Sequence, residues 1–146
     1  MSDLSKMIGT ELTSFSYAVE RGKIRETALA IGDENPLYTD PEYARARGYR
    51  DVIAPPTFGI CIDFWGGQDF MALCRKLQLN PVKVLHGEQE YQYFGEIYPG
   101  DTLNACCLLK NYIEKPQMSI FILETTYSNQ NGEKVLVSRS TVIEKK

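Results

Sequence analysis

Apolar residues recur at helical spacing between Gly22 and Ile31, where Ile24, Ala28 and Ile31 share one face and Gly32 supplies a stop. The turn cluster Asp33-Glu34-Asn35-Pro36 follows, and then a short helix over Asp40-Pro41-Glu42-Tyr43-Ala44, with Asp40 as N-cap and Pro41 in the first helical position. Pro55-Pro56-Thr57 opens the longest helical pattern, which runs to about Leu77. It is apolar through Phe58, Ile60, Cys61, Ile62, Phe64 and Trp65, which predicts burial, and Gly66-Gly67 predicts a kink or a split. Phe58, Phe64 and Trp65 are expected in the core rather than in a ligand pocket. From Val82 onward the pattern is that of strands: Val82–Ile97, Thr102–Glu114, Met118–Ser128 and Lys134–Glu144, rich in β-branched and aromatic residues. Pro99-Gly100-Asp101, Lys115-Pro116-Gln117 and Asn131-Gly132 mark the turns between them, the last favouring a hairpin.

Helices first, then one long buried helix, then a run of antiparallel strands, predict an α+β fold. The sheet needs an apolar body to wrap, and the long helix needs cover on every side. A hot-dog arrangement satisfies both, with its first strand drawn from the segment before Gly22 and a single domain spanning 1–146.

Composition narrows the function classes. The chain has 146 residues, 43% hydrophobic and 24% charged, enough for one ordinary core. A net charge of −3 argues against nucleic acid as the main partner. The longest apolar stretch, Phe58–Trp65, is far short of the roughly 20 residues that a membrane-spanning helix needs. Met1–Met7 lacks the apolar centre of a signal peptide, so a cytoplasmic protein is expected. Cys61, Cys74, Cys106 and Cys107 have no metal-ligand spacing and read as small packing groups; neither a metal nor a cofactor is expected.

Three segments carry a resemblance. Ala30-Ile31-Gly32-Asp33-Glu34-Asn35-Pro36-Leu37-Tyr38-Thr39-Asp40 is close to the hydratase signature of the MaoC-like and (R)-specific enoyl-CoA hydratase family. Ile53-Ala54-Pro55-Pro56-Thr57-Phe58-Gly59 stands at the head of the central helix. Val84-Leu85-His86-Gly87-Glu88-Gln89 and Tyr98-Pro99-Gly100-Asp101-Thr102-Leu103 complete the set. The second and third of these segments, Ile53–Gly59 and Val84–Gln89 with Tyr98–Leu103, resemble the N-terminal, FAS1-like half of two-domain hydratases and its stand-alone bacterial relatives. The resemblance implies an acyl-CoA or acyl-carrier-protein thioester as substrate, and homodimers or heterodimers with a second hot-dog chain laid edge to edge.

Hydrating a 2-enoyl thioester takes an acid–base pair and donors for the enolate-like oxygen. The resemblance places Asp33 and Tyr38 where the family has Asp and His. Tyrosine, with a pKa of about 10, is a poor base at neutral pH. It also places Pro55-Pro56 where catalytic relatives have His-Gly, and proline offers no N–H to the thioester oxygen. Asn35, Pro55, Pro56, Thr57, Phe58 and Gly59 are the substrate-binding candidates. Asp33 serves either chemistry or the backbone amides of its own turn; Tyr38 either lines the site or packs. His86, the only histidine, either forms a structural hydrogen bond, with Glu88 or backbone, or replaces the absent base. Lys23, Arg45, Arg47, Lys76 and Lys83 are equally eligible for carrier phosphates. Three functions stay open: a substrate-tail subunit of a heteromeric enoyl hydratase or 3-hydroxyacyl dehydratase, a self-sufficient homodimeric enzyme, and a non-enzymatic acyl-thioester binding module.

Overall fold

Alternation of side chains along the C-terminal half builds one antiparallel sheet, and everything before it is arranged to cover one face. The computed structural model describes residues 3–146; the N-terminal expectation over Met1 and Ser2 lies outside them. Strand β1 (Glu11–Ala18) is the one expected ahead of Gly22, and helix α1 (Arg21–Ala30) follows with Ile24, Thr27 and Ala28 buried. Helix α2 (Pro41–Ala46) begins as its sequence predicts: the Asp40 carboxylate accepts from Glu42 N at 3.0 Å and Tyr43 N at 3.1 Å. Strands β2 (Val84–Tyr93), β3 (Thr102–Lys115), β4 (Met118–Ser128) and β5 (Lys134–Lys145) complete a five-stranded sheet in the order β1-β3-β4-β5-β2. This is the hot-dog fold.

The expected strand over Val82–Ile97 is trimmed at both ends. Pro81–Lys83 forms a turn of 3-10 helix, because Asn80 Oδ1 accepts from Val82 N at 3.1 Å. Beyond Tyr93 the chain leaves the sheet, and Ile97 O instead accepts from Ala54 N at 2.9 Å. At the β4–β5 corner, Asn129 Oδ1 accepts from Asn131 N and Glu133 N, both at 3.0 Å. Gly132 takes the left-handed conformation there, at φ +77°.

The central helix departs from its prediction at its start and splits where Gly66-Gly67 predicts it. It starts at Gly59 rather than Pro55, since Phe58 N bonds to Pro55 O at 2.9 Å and Pro55–Phe58 is a turn. It is also two helices, α3 (Gly59–Trp65) and α4 (Phe70–Leu77). Gly67 at φ +130° ends the first, and Asp69 caps the second through Met71 N and Ala72 N. Under α1 and α3, Ile24, Phe58 and Ile62 pack on Leu103, Tyr127 and Leu136; under α4, Leu73 and Leu77 pack on Leu109 and Phe121. Of the three aromatics expected in the core, only Phe58 is there. Phe64 is 59% exposed and Trp65 84%, because α3 has one face on the sheet and these two occupy the other. Among the described residues no helix is long and apolar enough to cross a membrane.

The cysteines are all free. Cys74 and Cys107 lie in the second core, while Cys106, on the opposite face of β3 from its neighbour, meets Glu11 Oε2 at 3.3 Å.

One ion pair fixes the covering layer to the segment that leads into α3. Arg21 donates to both oxygens of Asp51, at 2.8 and 2.6 Å, and Val52 N adds a third bond at 2.7 Å. The Arg21 guanidinium holds the Asp51 carboxyl down at about 2 against an ordinary 3.8. A depressed pKa stabilises the fold above the unfolded value and loses that contribution as pH falls through the folded one. Because Arg21 is half exposed, solvent screening holds the pair to about 1 kcal/mol. Urea melts of wild type and Asp51→Asn should therefore differ by about that much at pH 6, with the gap closing between pH 4 and 2. A gap that persists below pH 2 would show that the variant loses something other than this ion pair.

Candidate functional site

The segment Gly32–Tyr38 is a loop held by its own side chains. Gly32 adopts φ +70° after α1, and Asp33 N bonds back to Ala28 O at 2.9 Å. Asp33 Oδ1 accepts from Asn35 N and Asn35 Oδ1 from Leu37 N, each at 3.1 Å. These are successive Asx turns, so part of the acceptor capacity of Asp33 is spent on backbone. Tyr38 closes the loop as a buried ring, 6% exposed, packed in the core that contains Phe58. Burial pushes its phenol up, and the neighbouring Asp33 and Glu96 carboxylates push the same way. At neutral pH Tyr38 keeps its proton; it can donate a hydrogen bond but cannot accept a proton from substrate.

The second motif is brought alongside by two backbone bonds. Ile53 N donates to Leu37 O at 3.0 Å, and Ala54 N to Ile97 O. Pro55 and Phe58 are buried, whereas Pro56 and Thr57 face outward. The Tyr93 hydroxyl donates to Pro56 O. Gly59 is buried against Tyr91: a Cβ there would sit 2.5 Å from the ring. That contact explains why a glycine heads α3. The fold thus gathers Asp33, Asn35, Tyr38 and the Pro55–Gly59 turn on one side of the sheet.

Two neighbours of this group carried no motif and were missed from sequence. Glu96, in the loop after β2, is pushed up by burial, and Tyr93 is pushed up by burial, Glu96, Asp63 and Tyr38 in that order. Glu96 is one glutamate among many, so no pattern marks it. Asp63 is the other. On α3 its carboxylate turns to the sheet and accepts from Tyr127 Oη, from Ser138 Oγ at 2.8 Å and from Tyr91 Oη at 3.4 Å. Burial raises its pKa and these three donors oppose the rise. A signal existed: Asp63 is the one charged residue between Val52 and Gln68.

His86 is not placed with Asp33. It is an exposed residue of β2 beside a bulge between His86 and Glu88, and it lines a cavity with Asp63. The bulge separates it from Glu88, and the hydrogen bond expected for its ring is not formed among the described residues. Of the five basic residues, Lys23 pairs with Glu26 at 2.7 Å, Arg47 stacks on Tyr43 at 3.3 Å from the ring centroid, and Lys76 donates to Leu12 O at 2.6 Å. Arg45 and Lys83 are exposed. Among the described residues no three His, Cys, Asp or Glu side chains converge as metal ligands would.

Comparison with known proteins agrees with this frame. Residues 6–137 match the family model described as "FAS1-like, dehydratase domain region". The UPF0336 protein of Streptomyces avermitilis is 35% identical over 127 residues, covering 87% of this chain and 84% of that one. Among solved structures, a MaoC-like dehydratase superposes with a TM-score of 0.84 at 24% identity, over 97% of this chain and 43% of that one. The HadBC (3R-hydroxyacyl-ACP dehydratase) complex of Mycobacterium tuberculosis gives 0.75 at 21% identity, over 90% and 94%. With the signature loop, the Pro55–Gly59 turn and the hot-dog frame all in place, the chain belongs to the family of FAS1-like dehydratase domains.

Proposed function

We propose that this chain, as a single cytoplasmic domain, is one subunit of an acyl-thioester hydratase or dehydratase. It lends a sheet edge and an acyl-chain pocket to a second hot-dog chain that supplies the Asp–His pair. The observation that carries this reading is Tyr38, a buried phenol that keeps its proton at the position where the chemistry needs a group titrating near neutrality. Pro56 supports it, since it presents a carbonyl and no N–H at the turn where the thioester oxygen needs a donor. Asp33, committed in part to its own loop, then serves structure or water binding, with Asn35, Pro55, Thr57, Phe58 and Gly59 shaping the substrate wall.

The partner surface has its own support. β2 is an edge strand, with β5 on one side and its other edge unpaired within the described residues. Phe64, Trp65 and Leu85 are exposed on α3 and β2. An unpaired strand flanked by large apolar groups favours association with another sheet. The M. tuberculosis HadBC relative is itself a complex.

The test is an enoyl-absorbance assay with crotonyl-CoA and a longer 2-enoyl-CoA, using the purified chain alone and mixed with a His-bearing hot-dog partner. Alone it should be silent, and turnover should appear in the mixture. Turnover by the chain alone at an ordinary enzymatic rate, on the order of 10 s⁻¹, would overturn the proposal.

A further inference from the structure

Asp63 has no part in that reading, yet its carboxylate lines a cavity and is held there by three hydroxyl donors. Gly59, Ile62 and Asp63 share the sheet-facing side of α3. Asp63 accepts from Tyr127, Tyr91 and Ser138, and the network runs on: Gln89 Nε2 donates to Ser138 Oγ at 2.8 Å, and Ser140 Oγ to Gln89 Oε1 at 2.6 Å. Asp63, Gln89 and Ser140 form a polar line along a cavity of about 230 Å³. The rest of its wall is largely apolar, with Leu73 and Leu123 buried and Phe64, Phe70 and Leu85 exposed toward the mouth, where His86 also lies.

A purely alkyl chain is a poor occupant. It would strip the remaining water from a carboxylate that three donors leave with acceptor capacity to spare, and give nothing back. A cationic group would itself have to be desolvated against a charge that those donors already offset. A neutral hydroxyl on an apolar chain meets both demands. We propose that the Asp63 cavity is an acyl-chain subsite that selects chains carrying a hydroxyl further along than the reacting carbons. This rests on the reading of the chain as an acyl-thioester protein and adds the class of chain it prefers.

Calorimetric titration of the purified full chain with dodecanoyl-CoA, and with its 8-, 10- and 12-hydroxy derivatives, tests it. At least one hydroxylated chain should bind about tenfold tighter than the plain one. Asp63→Leu should erase or reverse that preference while retaining affinity for the plain chain. Should Asp63→Leu fail to fold, Val142→Phe, which fills the cavity from β5, serves instead and should weaken every chain at least tenfold. Equal affinities for plain and hydroxylated chains overturn the proposal but leave the acyl-thioester reading standing. So does a preference that survives Asp63→Leu, or binding indifferent to Val142→Phe. Absence of binding by any of the four ligands sinks both together.

Discussion

Tyr38→His combined with Pro56→Gly raises hydration of crotonyl-CoA by the chain alone by about 10²-fold or more over wild type. An imidazole at position 38 titrates near 6.5 when unperturbed, about 3.5 below an unperturbed phenol. It would stand beside the Asp33 carboxylate, which already acts on the Tyr38 phenol. A general base contributes about 10²–10⁴ in rate and one oxyanion donor about 10²–10³. The two act on one transition state, so their effects are not additive, and the lower bound is the sensible one. Glycine at position 56 restores an N–H and keeps the carbonyl that accepts from Tyr93. Losing the buried ring should cost about 2 kcal/mol of stability, so the melting curve must accompany the assay. A folded double variant with no gain would show that the Asp33 loop is not where this fold brings a thioester.

Asp101→Ala is the substitution expected to harm the fold most among its ion pairs, by about 3 kcal/mol, or on the order of 10 °C in Tm. Asp101 is 2% exposed and accepts from Arg50 Nη2 at 2.6 Å, Tyr98 N at 2.9 Å and Gln130 Nε2 at 3.0 Å. Its backbone O accepts from Val19 N, and Gly100 N returns a bond to Val19 O, both at 2.8 Å. The carboxylate thereby ties together the β2–β3 loop, the β4–β5 corner and the segment leading to Ile53, while the backbone beside it holds the end of β1. Alanine leaves the Tyr98 N–H and the Gln130 amide without their acceptor. Arg50 is 58% exposed, so it can turn to water, and Arg50→Met should cost only about 1 kcal/mol. Guanidinium melts of the three proteins give the comparison. Equal losses for both variants would mean that the ion pair, not the buried acceptor, is what stabilises the corner.

Asp101 also shows how far a turn motif can be read. Pro99-Gly100-Asp101 announces a corner, and the corner is there, with Gly100 at φ +87°. That its buried carboxylate binds two other segments follows from partners 51 and 29 positions away, which no local window contains. The α3–α4 break was legible because Gly66-Gly67 acts locally, whereas the Asp69 cap that starts α4 was not read. The start of α3 was displaced because Pro55–Phe58 satisfies its hydrogen bonds as a turn, which apolar composition does not reveal.

The chain's own order of residues determined the elements, the antiparallel sheet and the cap of α2. These depend on spacing, side-chain chemistry and conformational preference within a few residues. Only the tertiary structure decided that Phe64 and Trp65 face outward while Phe58 is core, that His86 stands with Asp63 rather than with Asp33, and that the half-buried Asp63 is held by two tyrosines and a serine. Each of these outcomes depends on which faces of distant strands and helices meet, and periodicity shows that a face is apolar without showing what covers it.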